Sequence, residues 1–359
     1  MRFATLRIQG LRCLSNVELQ LAPGINVFVG ANGAGKTSVL EAAFLLSHAR
    51  SFRTGAREAL QQRGASELSI FAEMHSAGDR ATRLGLGRSA SRWEAKVDSV
   101  NVPIGQLVRA CAVVCFDPGT HALIAGAAEE RRRYLDWGVF HVEQSFLTVW
   151  RRYQRALKQR NSLLRSGASL DEALFAPWEF ELAQTATRID QQRQDYLDRL
   201  RPQLRASVAG LLPELGELTM RYRRGWGEQQ DLQDLLREQR PRDLARGHTT
   251  LGVHRADWSL AFAHAPLREH LSRGQEKLTA LACVLAQAHL YSAECSEWPV
   301  VCLDDLASEL DQTHQDAVVA RLATAQAQVL LTGTELPPAL AGVSPRVFHV
   351  EQGEVTRLL

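Results

Sequence analysis

Apolar residues cluster in short runs through the first third of the chain and spread into longer periodic stretches in its middle. Residues 3–8 and 17–21 read as strands flanking a turn at 10–16. Pro23-Gly24 marks a second turn, and Ile25-Asn26-Val27-Phe28-Val29 reads as a buried strand ending at Gly30. Val39, Leu40, Ala43, Phe44 and Leu46 then recur at helical spacing, which predicts a helix over 37–48. Residues 66–105 alternate and turn often, predicting a β-meander with strands at 68–74, 82–87 and 93–97. A further strand is expected at 111–116, closed by Asp117-Pro118-Gly119.

The texture then changes. Residues 129–200 are charged, poor in Gly and Pro, and patterned for helices, with breaks expected at Gly167 and Pro177. Strand character returns at 218–222 and 258–263. A buried helix over 278–290, strands at 300–303 and 329–331, and a hairpin of 346–350 with 355–358 complete the pattern. The reading is an α/β fold with an inserted helical lobe. Residues 1–115 and 213–359 form the two parts of one head, and 116–212 the insert.

Composition narrows the classes. The 359 residues are 45% hydrophobic and 23% charged, which excludes collagen-like, disordered and small disulfide-rich chains and suggests about two domains. A net charge of +2 excludes an electrostatic clamp spread over the whole chain, so any nucleic-acid contact must come from local patches. Residues 129–165 hold nine basic and four acidic side chains, and Arg151, Arg152, Arg155, Lys158 and Arg160 are candidates for a stripe on one helix. A solvated charged face is the plainer alternative. The six cysteines show neither Cys-x-x-Cys nor zinc-finger spacing, so they read as free thiols of a reducing compartment. The start of the chain lacks a signal-peptide pattern, and the apolar run 278–290 is too short to span a bilayer. A soluble, cytoplasmic protein is expected.

Three motifs carry chemistry. Gly30-Ala31-Asn32-Gly33-Ala34-Gly35-Lys36-Thr37 fits the phosphate-loop pattern between a predicted strand and a predicted helix. Its glycines let backbone N–H groups turn toward phosphate oxygens, and the helix N-terminus adds positive potential. Lys36 can reach the β- and γ-phosphates, and the Thr37 hydroxyl can ligate Mg²⁺. Val300-Val301-Cys302-Leu303-Asp304-Asp305 is an apolar strand ending in two carboxylates. Asp304 is assigned to Mg²⁺ and Asp305 to the attacking water. Leu271-Ser272-Arg273-Gly274-Gln275-Glu276-Lys277 opens the helix that follows. Ser272 and Gln275 make a capping box, but a capping box does not need Gly274, which is costly in a first helical turn.

Leu271-Ser272-Arg273-Gly274-Gln275 resembles the signature motif of ABC-type ATPases, and Ala307-Ser308-Glu309-Leu310-Asp311 resembles their D-loop. Thr332-Gly333-Thr334 stands where these ATPases carry a switch residue, often His, and Thr332 is the candidate. The blocks Phe116-Asp117-Pro118, Arg131-Arg132-Arg133-Tyr134-Leu135-Asp136, Gly252-Val253-His254-Arg255-Ala256-Asp257 and 303–311 resemble the RecF family, recombinational repair ATPases related to SMC heads. The resemblance covers essentially the whole chain. Val253 and Gly119 depart from it, since the family usually carries Pro and an acidic residue there. No clear Q-loop Gln is found, and the segment around Phe116 is the candidate for its place.

The resemblance implies an ABC-type P-loop ATPase head, a mixed sheet around the phosphate-loop helix, with the helical lobe inserted. It implies ATP and Mg²⁺ as cofactors, and a weak ATPase used as a dimerisation switch. In the implied homodimer, residues 30–37 of one copy face Ser272, Gly274 and Gln275 of the other. It also implies DNA as ligand, RecR with RecO as partners, an indirect link to RecA, and roles in repair, replication restart and SOS induction. Arg131–Arg133 are candidates for pinning the lobe to the head. His254 and Arg255 are candidates for the nucleotide, the dimer interface or a structural role, and Arg12 for a place near the nucleotide. Two other classes are open to a phosphate-loop chain of this length. An ABC transporter's nucleotide-binding subunit would be expected to have a Q-loop Gln and a switch His. An ATPase with an appended nuclease would be expected to carry a further acidic cluster.

Overall fold

The computed structural model describes residues 1–53, 60–78, 80–89, 92–166, 172–227 and 229–358. The chain opens with β1 (Arg2–Leu11), β2 (Leu14–Gln20), β3 (Ile25–Val29), α1 (Lys36–His48) and β4 (Glu67–His75). Next come β5 (Ala81–Ser89), β6 (Arg92–Val97), β7 (Val100–Val102), α2 (Ile104–Ala110) and β8 (Val113–Phe116). The middle holds α3 (Ala122–Ala125), α4 (Ala128–Val142), α5 (Phe146–Arg165), α6 (Glu172–Leu211), β9 (Leu218–Arg223), α7 (Leu232–Arg246) and β10 (Asp257–Phe262). It ends with α8 (Arg273–Cys295), β11 (Val300–Leu303), α9 (Leu306–Glu309), α10 (Gln312–Thr324), β12 (Val329–Gly333), β13 (Arg346–Glu351) and β14 (Glu354–Arg357). No described helix is long and apolar enough to cross a membrane.

Two compact units result. The first comprises Met1–His121, Ala206–Leu212 and Ser272–Leu359, and the second Ala122–Arg205 and Pro213–Leu271. This differs from the expected division at 115/116 and 212/213, because residues 213–271 group with the helices. The reason lies in buried polar bonds. Arg131 Nε donates to Asp257 at 2.7 Å, and Trp258 Nε1 to the Arg131 carbonyl at 2.9 Å. Arg160 Nη1 donates to Asp243 at 2.7 Å.

The first unit contains two sheets. One is antiparallel, in the order β2-β1-β4-β5-β6-β7, and β4 alternates strictly between buried and less buried positions, as a one-faced strand must. The other has the order β14-β13-β3-β12-β11-β8, parallel except for β14. Its strands β3 and β11 are unbroken apolar runs apart from Asn26, as strands covered on both faces should be. Helix α1 buries 11 of its 13 residues, and Val39, Leu40, Ala43 and Leu46 share one core with Leu6, Ile70, Leu86, Cys302 and Phe348. Buried amides join the layers. Gln328 accepts from Phe3 N–H at 2.7 Å and donates to the Phe3 and Ala22 carbonyls. Asn26 closes the turn before β3 through Ala22 and Gly24.

The second unit is helical, with the β9–β10 ribbon. Arg160, fully buried, donates to Glu179, Asp243, Thr249 and the Leu236 carbonyl. Arg240 donates to Glu179 and Glu172 and lies over the Phe175 ring. This network corrects two expectations. Arg160 is not part of a surface stripe, and Pro177 does not end a helix but lies inside α6. A proline removes one ladder bond, and the anchored Phe175 and Glu179 on either side carry the helix across it. Gly167, the other expected break, lies outside the described residues.

Other elements were expected with different extents or not at all. The first hairpin turns at Arg12-Cys13 alone, not across 10–16, because Leu11 and Leu14 are both buried and continue the strands. The strand expected at 111–116 starts at Val113, and α2 precedes it. Helices α7, α9 and α10 and strand β7 were not anticipated.

Candidate functional site

Parallel strands bring their C-terminal ends to one edge, where ligands bind open α/β sheets. Here the neighbouring strands β3, β12 and β11 end at Val29, Gly333 and Leu303, so Gly30, Thr332 and Asp304 meet. A cavity of about 320 Å³ lies there, lined by loop residues 32–33 and 35–38 and by Asp304, Asp305 and Thr332. Arg12, Cys13 and Arg53 complete the lining.

The loop's conformation explains its glycines. A Cβ on Gly30, where φ is +155°, would lie 2.1 Å from the Val350 carbonyl oxygen of β13. No side chain fits that approach. Gly33 takes φ +81° with open space around it. Its need is conformational, not steric. Lys36 is buried, and its ammonium donates to the Gly30 and Ala31 carbonyls at 2.6 and 2.9 Å. The loop thus holds its cation with its own oxygens.

A chain of hydrogen bonds connects the two halves of the site. Thr37 Oγ1 donates to Asp304 at 2.9 Å. Thr332 Oγ1 donates to the same carboxylate at 2.7 Å and accepts from the Asp305 N–H at 2.8 Å. Burial raises the Asp304 pKa, the Thr332 and Thr37 hydroxyls oppose the rise, and the neighbouring Asp305 carboxylate adds to it. Asp305 has φ +52° at the start of α9 and lines the cavity. A hydroxyl and a carboxylate in contact form a hard oxygen set, which suits Mg²⁺. The Asp117 carboxylate, just past β8, is also raised by burial, and Asp304 contributes to that rise.

The cavity wall holds groups that sequence reasoning missed. Glu41 of α1 is fully buried and accepts from Arg12 at 2.9 and 2.8 Å and from the Ser51 hydroxyl. Arg53 Nη1 stands 4.0 Å from the same carboxylate. Arg12 was a candidate and does line the cavity. Arg53 and Cys13 also line it, but no motif marks them.

The third motif stands apart. Ser272 Oγ accepts from the Gln275 N–H at 3.2 Å, and Gln275 Oε1 accepts from the Ser272 N–H at 3.0 Å, so the capping box is made. Ser272 and Gly274 are exposed. A Cβ on Gly274 would meet nothing closer than Ser272 Oγ at 3.9 Å, so no neighbour in this chain demands glycine there. None of Ser272, Gly274 and Gln275 lines the cavity. Lys277 of α8 pairs with Glu309 of α9 at 2.7 Å and joins this motif to the D-loop segment.

The remaining candidates serve the second unit's interior. His254 shares a hydrogen bond with the Tyr153 hydroxyl at 2.5 Å and lies 3.1 Å from the Thr249 carbonyl. Burial pulls its pKa down to about 4. Arg131 binds Asp257, Arg132 binds the Ala256 carbonyl, and Arg133 pairs with Glu129 and Glu130. These bonds all lie within the second unit; Arg131 and Arg132 tie the helices to residues 256–257, a segment the expected division had given to the head.

Comparison with known proteins gives the class. The family model for the RecF/RecN/SMC N-terminal domain matches residues 2–353. The fold is that of an ABC-type ATPase head of that class. The DNA replication and repair protein RecF of Xanthomonas euvesicatoria pv. vesicatoria is 47% identical over 365 residues, covering 99% of both chains. That of Shewanella loihica is 35% identical over 361 residues, again covering 99% of both. The chain belongs to the RecF family. In fold it is similar to a solved structure described as the recombination mediator protein RecF-ATPrS in the RecFOR pathway. The TM-score is 0.89 at 24% identity, covering 100% of this chain and 98% of the other. It is less similar to an Smc head bound to the C-winged helix domain of ScpA, with a TM-score of 0.61 at 14% identity over 100% and 98% of the two chains.

Proposed function

We propose that this protein is an ATP-dependent DNA-binding ATPase of recombinational repair and replication restart that dimerises on ATP. The observation that carries the reading is the bonded series Thr37–Asp304–Thr332–Asp305 at the mouth of the phosphate loop. It joins the residue types that nucleotide hydrolysis requires. Residues 30–37 cradle the phosphates with their N–H groups, and Lys36 leaves its loop carbonyls to neutralise the β- and γ-phosphates. Thr37 and Asp304 would hold Mg²⁺, which would supply charge neutralisation to the phosphates. Asp305 orients the attacking water, and Thr332 fixes both carboxylates relative to each other.

Ser272, Gly274 and Gln275 act on a second copy. Away from their own chain's cavity, with Ser272 and Gly274 exposed, they present a helix N-terminus and a hydroxyl to the γ-phosphate held by the partner. The γ-phosphate then belongs to the interface, and its loss releases the dimer. Turnover is slow because a monomer holds only part of the site. The relatives' names support the repair role, and a solved relative is described in the RecFOR pathway. On this reading the protein works in the cytoplasm with RecO and RecR, helps load RecA at gaps in DNA, and supports SOS induction.

The test is ATP hydrolysis by the full chain with and without duplex DNA, alongside Lys36→Met and Asp305→Asn. DNA should stimulate the wild type. Lys36→Met should lose nucleotide binding, and Asp305→Asn should bind ATP yet hydrolyse it at least about 100-fold more slowly. Hydrolysis indifferent to both substitutions would overturn the reading.

A further inference from the structure

Helix α5 has 20 residues, six of them basic and none acidic. Two of the six are accounted for. Arg160 is buried among Glu179, Asp243 and Thr249. Arg152 forms a two-pronged pair with Glu181 at 2.7 and 2.9 Å. The other four, Arg151, Arg155, Lys158 and Arg165, are exposed, and among the described residues no carboxylate pairs with them.

Their spacing puts them on one face. At 3.6 residues per turn, positions i, i+4, i+7 and i+14 fall within an arc of about 80°, and the row is about 21 Å long. A Cβ on Gly247, just past α7, would lie 3.5 Å from Arg165 Cγ, so the exposed Arg246 adjoins the end of the row. Elsewhere in this unit several surface arginines are neutralised: Arg133 by Glu129 and Glu130, Arg199 by Glu143, Arg201 by Asp198. On α5 the like charges at i+3 and i+4 repel, which weakens the helix unless anions relieve them.

We infer that this face of α5, carried by Arg151, Arg155, Lys158 and Arg165, seats the phosphate backbone of duplex DNA. The inference rests on the DNA-binding reading above and names the surface that performs it. A straight row of unpaired cations matches a regular line of phosphates and carries no base-reading geometry. The same face excludes a single strand as the preferred ligand. Between the cations stand Gln159 and Ser162, while Phe146 and Tyr153 are buried and Trp150 is half-buried, so α5 itself offers no exposed aromatic platform for stacking. Contact through this row is governed by counterion release, so its strength falls steeply with salt.

The experiment compares the full chain, with ATP and Mg²⁺, against Arg151→Glu/Arg155→Glu/Lys158→Glu. A second triple, Arg83→Glu/Arg92→Glu/Lys96→Glu on the meander, makes the same change in net charge elsewhere. Affinity for a duplex and for a single strand is measured across a salt series, with ATP affinity and thermal midpoint confirming that each variant is folded. The α5 triple should bind duplex roughly 10- to 100-fold more weakly at 0.1 M salt, and its log–log salt slope should be shallower by about three. The meander triple should keep the wild-type slope. Equal losses in both triples, a loss confined to the single strand, or an unchanged slope in the α5 triple would overturn the assignment. So would unchanged duplex binding with lost affinity for anionic vesicles. A wild type that binds no duplex would instead remove the reading on which the inference rests.

Discussion

Thr332 and Asp304 sit at the ends of adjacent parallel strands, joined by a 2.7 Å hydrogen bond from hydroxyl to carboxylate. The same hydroxyl receives the Asp305 N–H, so one side chain sets the spacing of both acids. Neither acid touches the phosphate-loop motif in sequence, and only the folded sheet unites them. Thr332→Val removes this bridge and leaves a buried carboxylate short of a donor, a loss of about 1.5–3 kcal/mol for a charged acceptor. Hydrolysis should fall by roughly 10- to 100-fold. ATP affinity should change little, and Thr332→Ser should restore the rate. Single-turnover hydrolysis with a parallel binding titration separates the two.

Gly30 and Gly33 should respond differently to alanine. At Gly30 the added Cβ meets the Val350 carbonyl oxygen at 2.1 Å, so β13 or the loop must move. At Gly33 there is open space and only the positive φ resists. Gly33→Ala should cost about 1 kcal/mol, and Gly30→Ala several times more. Thermal midpoints of the two variants without nucleotide check this.

The helical unit depends on compensated charge. Arg160 is fully buried with Glu179 and Asp243, and Arg160→Met leaves buried Asp243 without a cation while Glu179 keeps Arg240. Breaking one side of a buried pair costs about 3–5 kcal/mol. Urea unfolding should show that loss, whereas Arg133→Met, at an exposed pair, should shift stability by less than about 1 kcal/mol.

His254 makes the fold acid-sensitive. Burial lowers its folded pKa to about 4, below the ordinary value of 6.5. The unfolded chain therefore takes up this proton first as pH falls. The stabilising contribution is complete above pH 6.5 and is lost between there and pH 4, on the order of 3 kcal/mol. His254→Gln should flatten the midpoint-versus-pH curve in that window, and an unchanged curve would refute the assignment.

Much of the site was legible because its chemistry is local. Residues 30–37 are one contiguous loop and helix start, 300–305 one strand with the two acids just past it, and strands β3 and β11 have the predicted ends because apolar runs are bounded by sharp polar or glycine stops. Contacts between distant residues were not legible. Arg160 reads as one more surface cation until Glu179, 19 residues on, and Asp243, 83 residues on, surround it. Pro177 reads as a stop because the packing that overrides it is tertiary. Helix α7 escaped notice because it is largely polar and contains Pro241. Arg53 and Cys13 enter the cavity from loops whose sequence carries no phosphate-binding pattern.

The central claim is that ATP closes two copies on each other through residues 30–37 and 272–275. Solution mass by light scattering, with and without ATP and Mg²⁺, tests it most directly. The wild type should double its mass only with ATP and Mg²⁺. Lys36→Met should stay monomeric for want of nucleotide, and Ser272→Arg should stay monomeric while still binding ATP. A wild type that binds ATP tightly yet remains a monomer, even with DNA present, would contradict the account and return Ser272 and Gln275 to the role of a helix cap.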